Sequence, residues 1–222
     1  MIRRAETMDC CQGQTGGANV FDERKATSEL KRYRKKGPRK ATRILLDALV
    51  REGVTGQTLL DIGGGVGAIS LELLKSGVTS ATQIDASPAY VIAAKTAASQ
   101  QGVADRLACR EGDFVALAAD TPAAGVVTLD RVICCYPDMR ALVGQSAAKA
   151  TRLYGAVYPR DTWWARGVGS VMNFTSRLLR SPLRNFTFPT AAVDAVVRER
   201  GLAPRFHRNA GYWQVVVYAR PA

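Results

Sequence analysis

The chain has 222 residues and a net charge of +12, with 47% hydrophobic and 23% charged residues. This length fits one domain, or one domain with an appendage, and the composition is too apolar for a disordered chain. No stretch approaches the roughly 18 uninterrupted apolar residues of a spanning helix, and the N-terminus lacks the apolar core of a secretory signal. We therefore expect a cytoplasmic protein.

The predicted elements begin with a loose, glycine-rich tail over residues 1–20, a charged helix over 22–36 and an amphipathic helix over 39–52. Short strands and helices then alternate, with strands at 58–62, 81–84, 107–110, 126–129 and 153–158, and helices at 68–75, 88–101 and 191–200. Two further strands, 204–208 and 212–220, flank Asn209-Ala210-Gly211 as an antiparallel hairpin. This order predicts a doubly wound, Rossmann-like α/β sheet.

The positive charge is concentrated towards the two ends of the chain. Residues 1–40 contain 11 basic and 5 acidic side chains, and residues 160–208 contain 9 and 3, whereas residues 41–159 are nearly balanced. Basic blocks of this kind attract anionic partners. A solvated basic face without a partner explains the pattern equally well.

The cysteines do not form the pattern of a disulfide framework, because there are five and four of them are adjacent pairs: Cys10, Cys11, Cys109, Cys134 and Cys135. The chain has one histidine and no CxxC spacing, which argues against a zinc site. We predict reduced thiols and no metal. The histidine, His207, lies in the terminal hairpin, where we expect a structural role.

The strongest motif is DIGGGVG at residues 61–67, which follows the first strand and opens a helix. Glycines there allow a ligand to lie against bare backbone, beside the unpaired N–H groups of a helix N-terminus. Gly63, Gly65 and Ala68 also satisfy the dinucleotide pattern GxGxxG/A. The loop alone leaves both a dinucleotide and an amino-acid ligand open.

Two carboxylates favour an adenosine ligand. Asp85 ends the second strand, where a carboxylate can accept both ribose hydroxyls. Asp113 ends the third strand beside Phe114, which suits an adenine amine next to an apolar wall. Simple capping of the following helices is the structural alternative for both aspartates.

With these motifs, residues 40–220 resemble the class I S-adenosylmethionine-dependent methyltransferases, through DIGGGVG, IDASP and GDF. The resemblance implies a seven-stranded sheet ending in an antiparallel hairpin, with S-adenosylmethionine as cofactor. It implies that the methionine end is held by Asp61, Gly63, Gly65 and Gly67. The ribose would be held by Asp85, and the adenine by Asp113 and Phe114.

The acceptor would lie near the end of the fourth strand. The run LDRVICCYP at 129–137 is similar to the corresponding part of magnesium-protoporphyrin O-methyltransferases, although the Cys10-Cys11 segment departs from that family. The (D/N)PP(Y/F) signature of many amino-group methyltransferases is absent. We expect Tyr136 or Asp130 to orient the acceptor, as candidate catalytic residues.

Residues 160–188 form a long insertion rich in arginine and aromatic residues. Arginine grips carboxylate or phosphate, and aromatic rings supply a flat apolar wall. We predict a substrate cap containing Trp163, Trp164 and Arg177, within a methyltransferase domain at 41–222. A lid at residues 1–40 would add Tyr33. The alternative is a partly buried cap with solvated arginines.

The sequence thus predicts methyl transfer to a small molecule that is flat, hydrophobic or anionic. An RNA methyltransferase is the main alternative, but the sheet region is neutral and no RNA-binding module is recognisable. A non-catalytic protein that binds S-adenosylmethionine and a partner is another. An NAD-dependent oxidoreductase fits the glycine loop but leaves Asp113 and the terminal hairpin unexplained.

Overall fold

The structure is a computed structural model that describes residues 21–179 and 184–221. The helices are α1 Glu23–Lys36, α2 Lys40–Glu52, α3 Ala68–Lys75, α4 Pro88–Gln100, α5 Phe114–Leu117, α6 Met139–Lys149, α7 Trp163–Leu178 and α8 Thr190–Arg198. The strands are β1 Thr58–Ile62, β2 Ser80–Asp85, β3 Leu107–Glu111, β4 Ala124–Asp130, β5 Ala150–Pro159, β6 Ala203–Ala210 and β7 Trp213–Ala219. The predicted tail over residues 1–20 lies outside the described residues.

The strands form one seven-stranded sheet in the order β3-β2-β1-β4-β5-β7-β6. Strands β1 to β5 are parallel to one another. Strand β7 pairs antiparallel with both β5 and β6. This confirms the predicted doubly wound sheet with an antiparallel terminal hairpin. The strand order reverses between β1 and β4, and ligands of such sheets bind in the crevice at that point.

Helices cover both faces of the sheet, because successive strand residues point to opposite sides. Leu59 of β1 belongs to the apolar cluster that includes α1 to α4. Leu60 belongs to the cluster on the other face, with α6 and α8. Both faces of the sheet are therefore covered by apolar side chains.

The N-terminal helix α1 is packed onto the sheet domain. Its buried residues are Ala26, Leu30 and Tyr33, and it lies against α4. Just before it, the carbonyl of Phe21 accepts a 2.7 Å hydrogen bond from Ser87 Oγ. This places one face of α1 above the carboxyl ends of the strands, as a wall of the crevice.

Helices α5, α6 and α7 are not among the predicted elements. In α6 the buried positions include Gly144, Ser146 and Ala147 beside Met139, Leu142 and Val143, so large apolar residues mark only part of the buried face. In α7 most large apolar side chains are instead exposed, so an amphipathic pattern does not reveal which face packs. Among the described residues, no helix is long and apolar enough to cross a bilayer.

Candidate active site

A cavity of about 240 Å³ lies at the carboxyl ends of the central strands, between the sheet and α1. The predicted residues that line it are Asp61, Gly63, Gly65, Asp85, Asp113, Phe114, Asp130 and Tyr136. The structure thus brings together nearly all of the predicted cofactor-binding residues and both candidate catalytic residues. Gly67 is the exception in the glycine loop, since it lies outside the wall.

The glycine loop needs glycine for two different reasons. Gly63 has a φ of +63°, and a Cβ there would come closer to Val132 than real Cβ atoms approach other groups. Gly67 has a φ of +83° and is the residue that caps the N-terminus of α3. Glycine at position 63 therefore allows the loop to pack closely against Val132, whereas Gly67 turns the chain into the helix.

Asp85 fastens the loop to the end of β2. One carboxylate oxygen accepts the N–H of Gly65 at 2.9 Å, and the other accepts the N–H of Ser87 at 2.9 Å. Each oxygen retains a second lone pair, so the carboxylate can also accept the two hydroxyls of a ribose. Burial raises the pKa of Asp85, and these two backbone hydrogen bonds oppose that rise.

Asp61 is fully buried at the end of β1. Its carboxyl group accepts hydrogen bonds from Thr128 Oγ1 at 2.7 Å and from Ser70 Oγ at 3.0 Å. Burial raises the pKa of Asp61 to about 7, with smaller contributions from the negative charges of Asp130 and Asp85, while the two hydroxyl donors oppose the rise. This part of the cavity therefore suits a positively charged ligand group.

The raised pKa of Asp61 predicts a pH-dependent stability. The folded protein retains the Asp61 proton from the ordinary value near 3.8 up to about pH 7, so the free energy of unfolding falls as pH rises through that window. We expect Asp61→Asn to reduce this fall, as measured by urea unfolding at pH 5 and pH 8. The exposed Asp47→Asn is the control; equal pH slopes for wild type and Asp61→Asn would contradict the assignment.

Asp113 and Tyr136 form a pair at the β3 side of the cavity. The hydroxyl of Tyr136 donates to Asp113 Oδ2 at 2.8 Å, and Asp113 Oδ1 caps α5 through the N–H of Val115 at 3.0 Å. The adjacent Phe114 is buried and lines the cavity. Asp113 thus has the capping role considered as an alternative, and it also faces the cavity.

Asp130, at the end of β4, is held by three hydrogen bonds. It accepts from Thr42 Oγ1 at 2.6 Å and from Arg131 Nε and a terminal nitrogen at 2.9 and 3.0 Å. Arg131 has a left-handed backbone, with φ of +63°, a conformation uncommon for residues other than glycine. The side chain of Asp130 is 9% exposed, so its clearest role is to hold Arg131 at the cavity wall.

The part of the cavity wall that comes from α1 and the start of α2 is basic. It contains Lys25, Arg32 and Arg39, together with Glu29. Arg39 lies 3.6 Å from Glu29. Arg32 Nε is buried and has no hydrogen-bond partner among the described residues, and burial followed by the charge of Arg39 lowers the pKa of Arg32. A terminal nitrogen of the same guanidinium donates to the carbonyl of Gly37 at 3.2 Å.

Four residues predicted to bind the acceptor lie elsewhere. Tyr33 is buried beneath α1 and donates to Glu72 Oε1 at 2.6 Å. Trp163 is 86% exposed, and Trp164 packs edge-on against Tyr212. These three and Arg177 are absent from the cavity wall. The predicted substrate cap at 160–188 therefore contributes no described residue to the wall, because α7 packs against the terminal hairpin instead.

Cys134 and Cys135 follow β4, with their sulfur atoms 3.8 Å apart. Cys135 lines the cavity, and its pKa is lowered chiefly by its hydrogen bond with Cys134 and then by Lys25 and Arg131. Within the described ranges, no three His, Cys, Asp or Glu side chains gather as a metal site.

The sequence predicts a basic lid at residues 1–40, but Lys25, Arg39 and Arg131 were not identified as site residues, although they were visible in a charged segment and in Asp130-Arg131 at a strand end. Spacing on α1 places Lys25, Glu29 and Arg32 on one helical face. The signal was therefore present, but only the packing of α1 onto α4 shows that this face lies over the cavity.

Comparisons with known proteins agree with this geometry. Residues 59–152 match the family described as methyltransferase domain. Ribosomal protein L11 methyltransferases from Histophilus somni and Pasteurella multocida are 38% and 37% identical over 71 residues, 32% of this chain. The match spans about a quarter of each relative's length.

Solved structures share the fold over most of the chain. Magnesium protoporphyrin IX methyltransferase from Synechocystis PCC 6803 with bound SAH has a TM-score of 0.65 at 16% identity, covering 82% of this chain and 81% of that one. An O-methyltransferase family protein from Burkholderia thailandensis has a TM-score of 0.68 at 18% identity, covering 90% and 61%. At these identities the likeness concerns the fold alone. The domain match, the strand order and the motifs together confirm the predicted resemblance to the class I methyltransferases.

Proposed function

We propose that this protein transfers a methyl group from S-adenosylmethionine to a small anionic molecule. The observation that carries the proposal is a single cavity with two chemically different walls. One wall combines a glycine loop with aspartates at the ends of β1, β2 and β3. The other presents lysine and arginine side chains from α1, α2 and the end of β4.

The acidic wall has the groups that an adenosine with a cationic amino-acid tail requires. Asp85 accepts the ribose hydroxyls with its remaining lone pairs, and Asp113 lies beside the apolar ring of Phe114 for the adenine. Gly63 lines the cavity without a side chain. The pKa of Asp61 is near neutrality. A positively charged ligand group beside this carboxyl group would therefore favour its ionised form.

The basic wall fits an anionic acceptor. Asp130 and Glu29 each have an arginine partner, whereas Lys25 contacts the ring of Phe21 and Arg32 retains a buried donor without a partner. Lys25 and Arg32 therefore have no carboxylate partner in an ion pair among the described residues of the cavity wall. A carboxylate or phosphate on the acceptor would balance the charge of these two side chains.

The residues act by positioning. Bound S-adenosylmethionine supplies a methyl group that is already activated, so holding and aligning the acceptor provides most of the rate acceleration. Arg131 is fixed by Asp130, and Asp130 by Thr42, which gives the acceptor a rigid anchor beside the β4 end. An ionised acceptor oxygen needs no general base, which agrees with a cavity wall that contains no histidine among its described residues.

Calorimetry with S-adenosylhomocysteine and NAD tests the cofactor assignment. We expect one S-adenosylhomocysteine site per chain and no competition by NAD. Tight NAD binding without S-adenosylhomocysteine binding would instead support an oxidoreductase. Cofactor binding without methyl transfer to any metabolite, RNA or protein fraction would support the non-catalytic alternative.

Arg32→Met tests the basic wall. Loss of a charged hydrogen bond to the acceptor costs about 1.5–3 kcal/mol, so we expect the KM for the acceptor to rise roughly 10- to 150-fold. The affinity for S-adenosylhomocysteine should remain within about twofold, because Arg32 belongs to α1 and not to the glycine loop and strand ends that are proposed to hold the cofactor. Arg24→Met, at an exposed position of the same helix, is the control. An unchanged KM would contradict the proposed role.

A protein acceptor is the second candidate, and it is favoured by the identity to ribosomal protein L11 methyltransferases. The matched segment covers only a quarter of those proteins. The RNA alternative rests on the net charge of +12. Labelling of protein or RNA, in place of small molecules, would favour one of these acceptors.

A further inference from the structure

Helix α7 exposes an apolar face. Of the nine large hydrophobic side chains exposed among the described residues, seven lie in residues 163–179, with exposed fractions of 41–86%. They are Trp163, Val168, Val171, Met172, Phe174, Leu178 and Leu179. At about 100° per residue they cover roughly half of the helix circumference. We call these seven residues the α7 apolar face.

The other side of α7 holds the helix to the domain. Ala165 is fully buried, and the side chain of Asn173 both donates to the carbonyl of Asn185 at 2.8 Å and accepts its N–H at 2.7 Å. Asn185 in turn donates to the hydroxyl of Tyr212 at 2.8 Å. These contacts fix α7 on the domain. The α7 apolar face therefore points outward from a helix whose other side is packed.

Arginines border this face. Arg166, which is paired with Asp161, and Arg177 fall at neighbouring angles on the helix, next to the edge formed by Trp163 and Phe174. Residues 160–208 contain nine basic and three acidic side chains. A tryptophan and other large apolar residues on one face, with arginines at its border, are the features of a helix that lies in the interface of an anionic membrane.

A second copy of the chain fits this face less well. A two-fold symmetric contact requires the surface to be complementary to itself. A symmetric contact would bring the same arginines of two chains with net charge +12 together. Anionic lipid headgroups, by contrast, complement that charge.

We propose that the α7 apolar face binds peripherally to anionic membrane surfaces, with its large apolar side chains in the acyl boundary and its arginines at the lipid phosphates. This surface is separate from the proposed acceptor cavity, whose described wall contains none of the seven residues. The backbone of Phe186, just beyond α7, nevertheless donates to the carbonyl of Cys134 at 2.7 Å. The docked segment is thus tied to the loop that contains Cys135 of the cavity wall.

Cosedimentation of the full chain with vesicles tests the proposal. We expect binding to phosphatidylcholine vesicles that contain about 30% phosphatidylglycerol, and at least tenfold weaker binding to phosphatidylcholine alone. The double variant Phe174→Ser/Leu178→Ser should lower the partition coefficient about tenfold or more, because interfacial binding scales with buried apolar area. Ile92→Ser, which removes a side chain that is 65% exposed on α4, is the matched control and should bind like the wild type.

Tryptophan fluorescence supplies a second measurement that does not depend on the double variant. Anionic vesicles should shift the emission of the wild type to shorter wavelength, and Trp163→Phe should remove most of that shift. The proposal is overturned if anionic vesicles do not bind, or if the double variant binds as well as Ile92→Ser. It is also overturned if light scattering shows a dimer that the double variant dissociates, or if RNA binds through this face while vesicles do not.

Discussion

Replacing Asp85 with asparagine is expected to weaken binding of S-adenosylhomocysteine roughly 10- to 150-fold, or about 1.5–3 kcal/mol. The loss has two physical sources. The amide has one acceptor oxygen, so it cannot accept both ribose hydroxyls, and its nitrogen faces one of the N–H groups of Gly65 and Ser87 that the carboxylate now accepts. Isothermal titration calorimetry measures the effect directly.

The control for this experiment is Asp105→Asn, at an exposed position after α4, which should bind like the wild type. A melting temperature measured for each variant separates loss of binding from loss of the fold. If Asp85→Asn binds within twofold of the wild type, then Asp85 does not hold the ribose and the orientation of the cofactor must be revised.

Gly63→Ala is expected to cost about 2–5 kcal/mol of folding stability. A left-handed backbone costs about 1–2 kcal/mol for a residue with a Cβ, and overpacking against Val132 adds about 1–3 kcal/mol. The displaced loop should also weaken S-adenosylhomocysteine binding. Urea unfolding and calorimetry measure the two effects on the same protein.

Gly102→Ala separates the two costs. Gly102 has a φ of +68° but nothing within 4 Å of its hypothetical Cβ, so this variant should show only the backbone cost, about 1–2 kcal/mol. If the two variants lose equal stability, the close approach to Val132 has no energetic consequence. The glycine loop would then tolerate a side chain at position 63.

The cofactor side of the cavity was predictable because its residues follow local rules. Asp61, Asp85 and Asp113 each stand at or next to the end of a strand, and parallel strands bring their carboxyl ends to one edge of the sheet. Only the network of Asp61, with Ser70 and Thr128 as its donors, needed the three-dimensional structure. It depends on residues 9 and 67 positions away.

The acceptor side was not predictable in the same way. Tyr33 was expected in a lid, but α1 turns this residue into the core and Arg32 towards the cavity. Adjacent helical residues differ by about 100° in direction, so a small error in the orientation of α1 exchanges their roles. The arginine and aromatic content of residues 160–188, which follow the fifth strand, predicted Trp163 and Arg177 in the acceptor pocket. In the structure, the packing of Ala165 and Asn173 turns these two residues away from the cavity.

The most direct test of the account is the fate of a labelled methyl group. Purified protein is incubated with S-adenosylmethionine that carries a deuterated methyl group, in a cell extract separated into small-molecule, RNA and protein fractions. Mass spectrometry should find the label on an anionic small molecule, and Arg32→Met should reduce that product more than Arg24→Met. Label confined to RNA or protein, or found on a neutral or cationic metabolite that forms equally in both variants, would contradict the account.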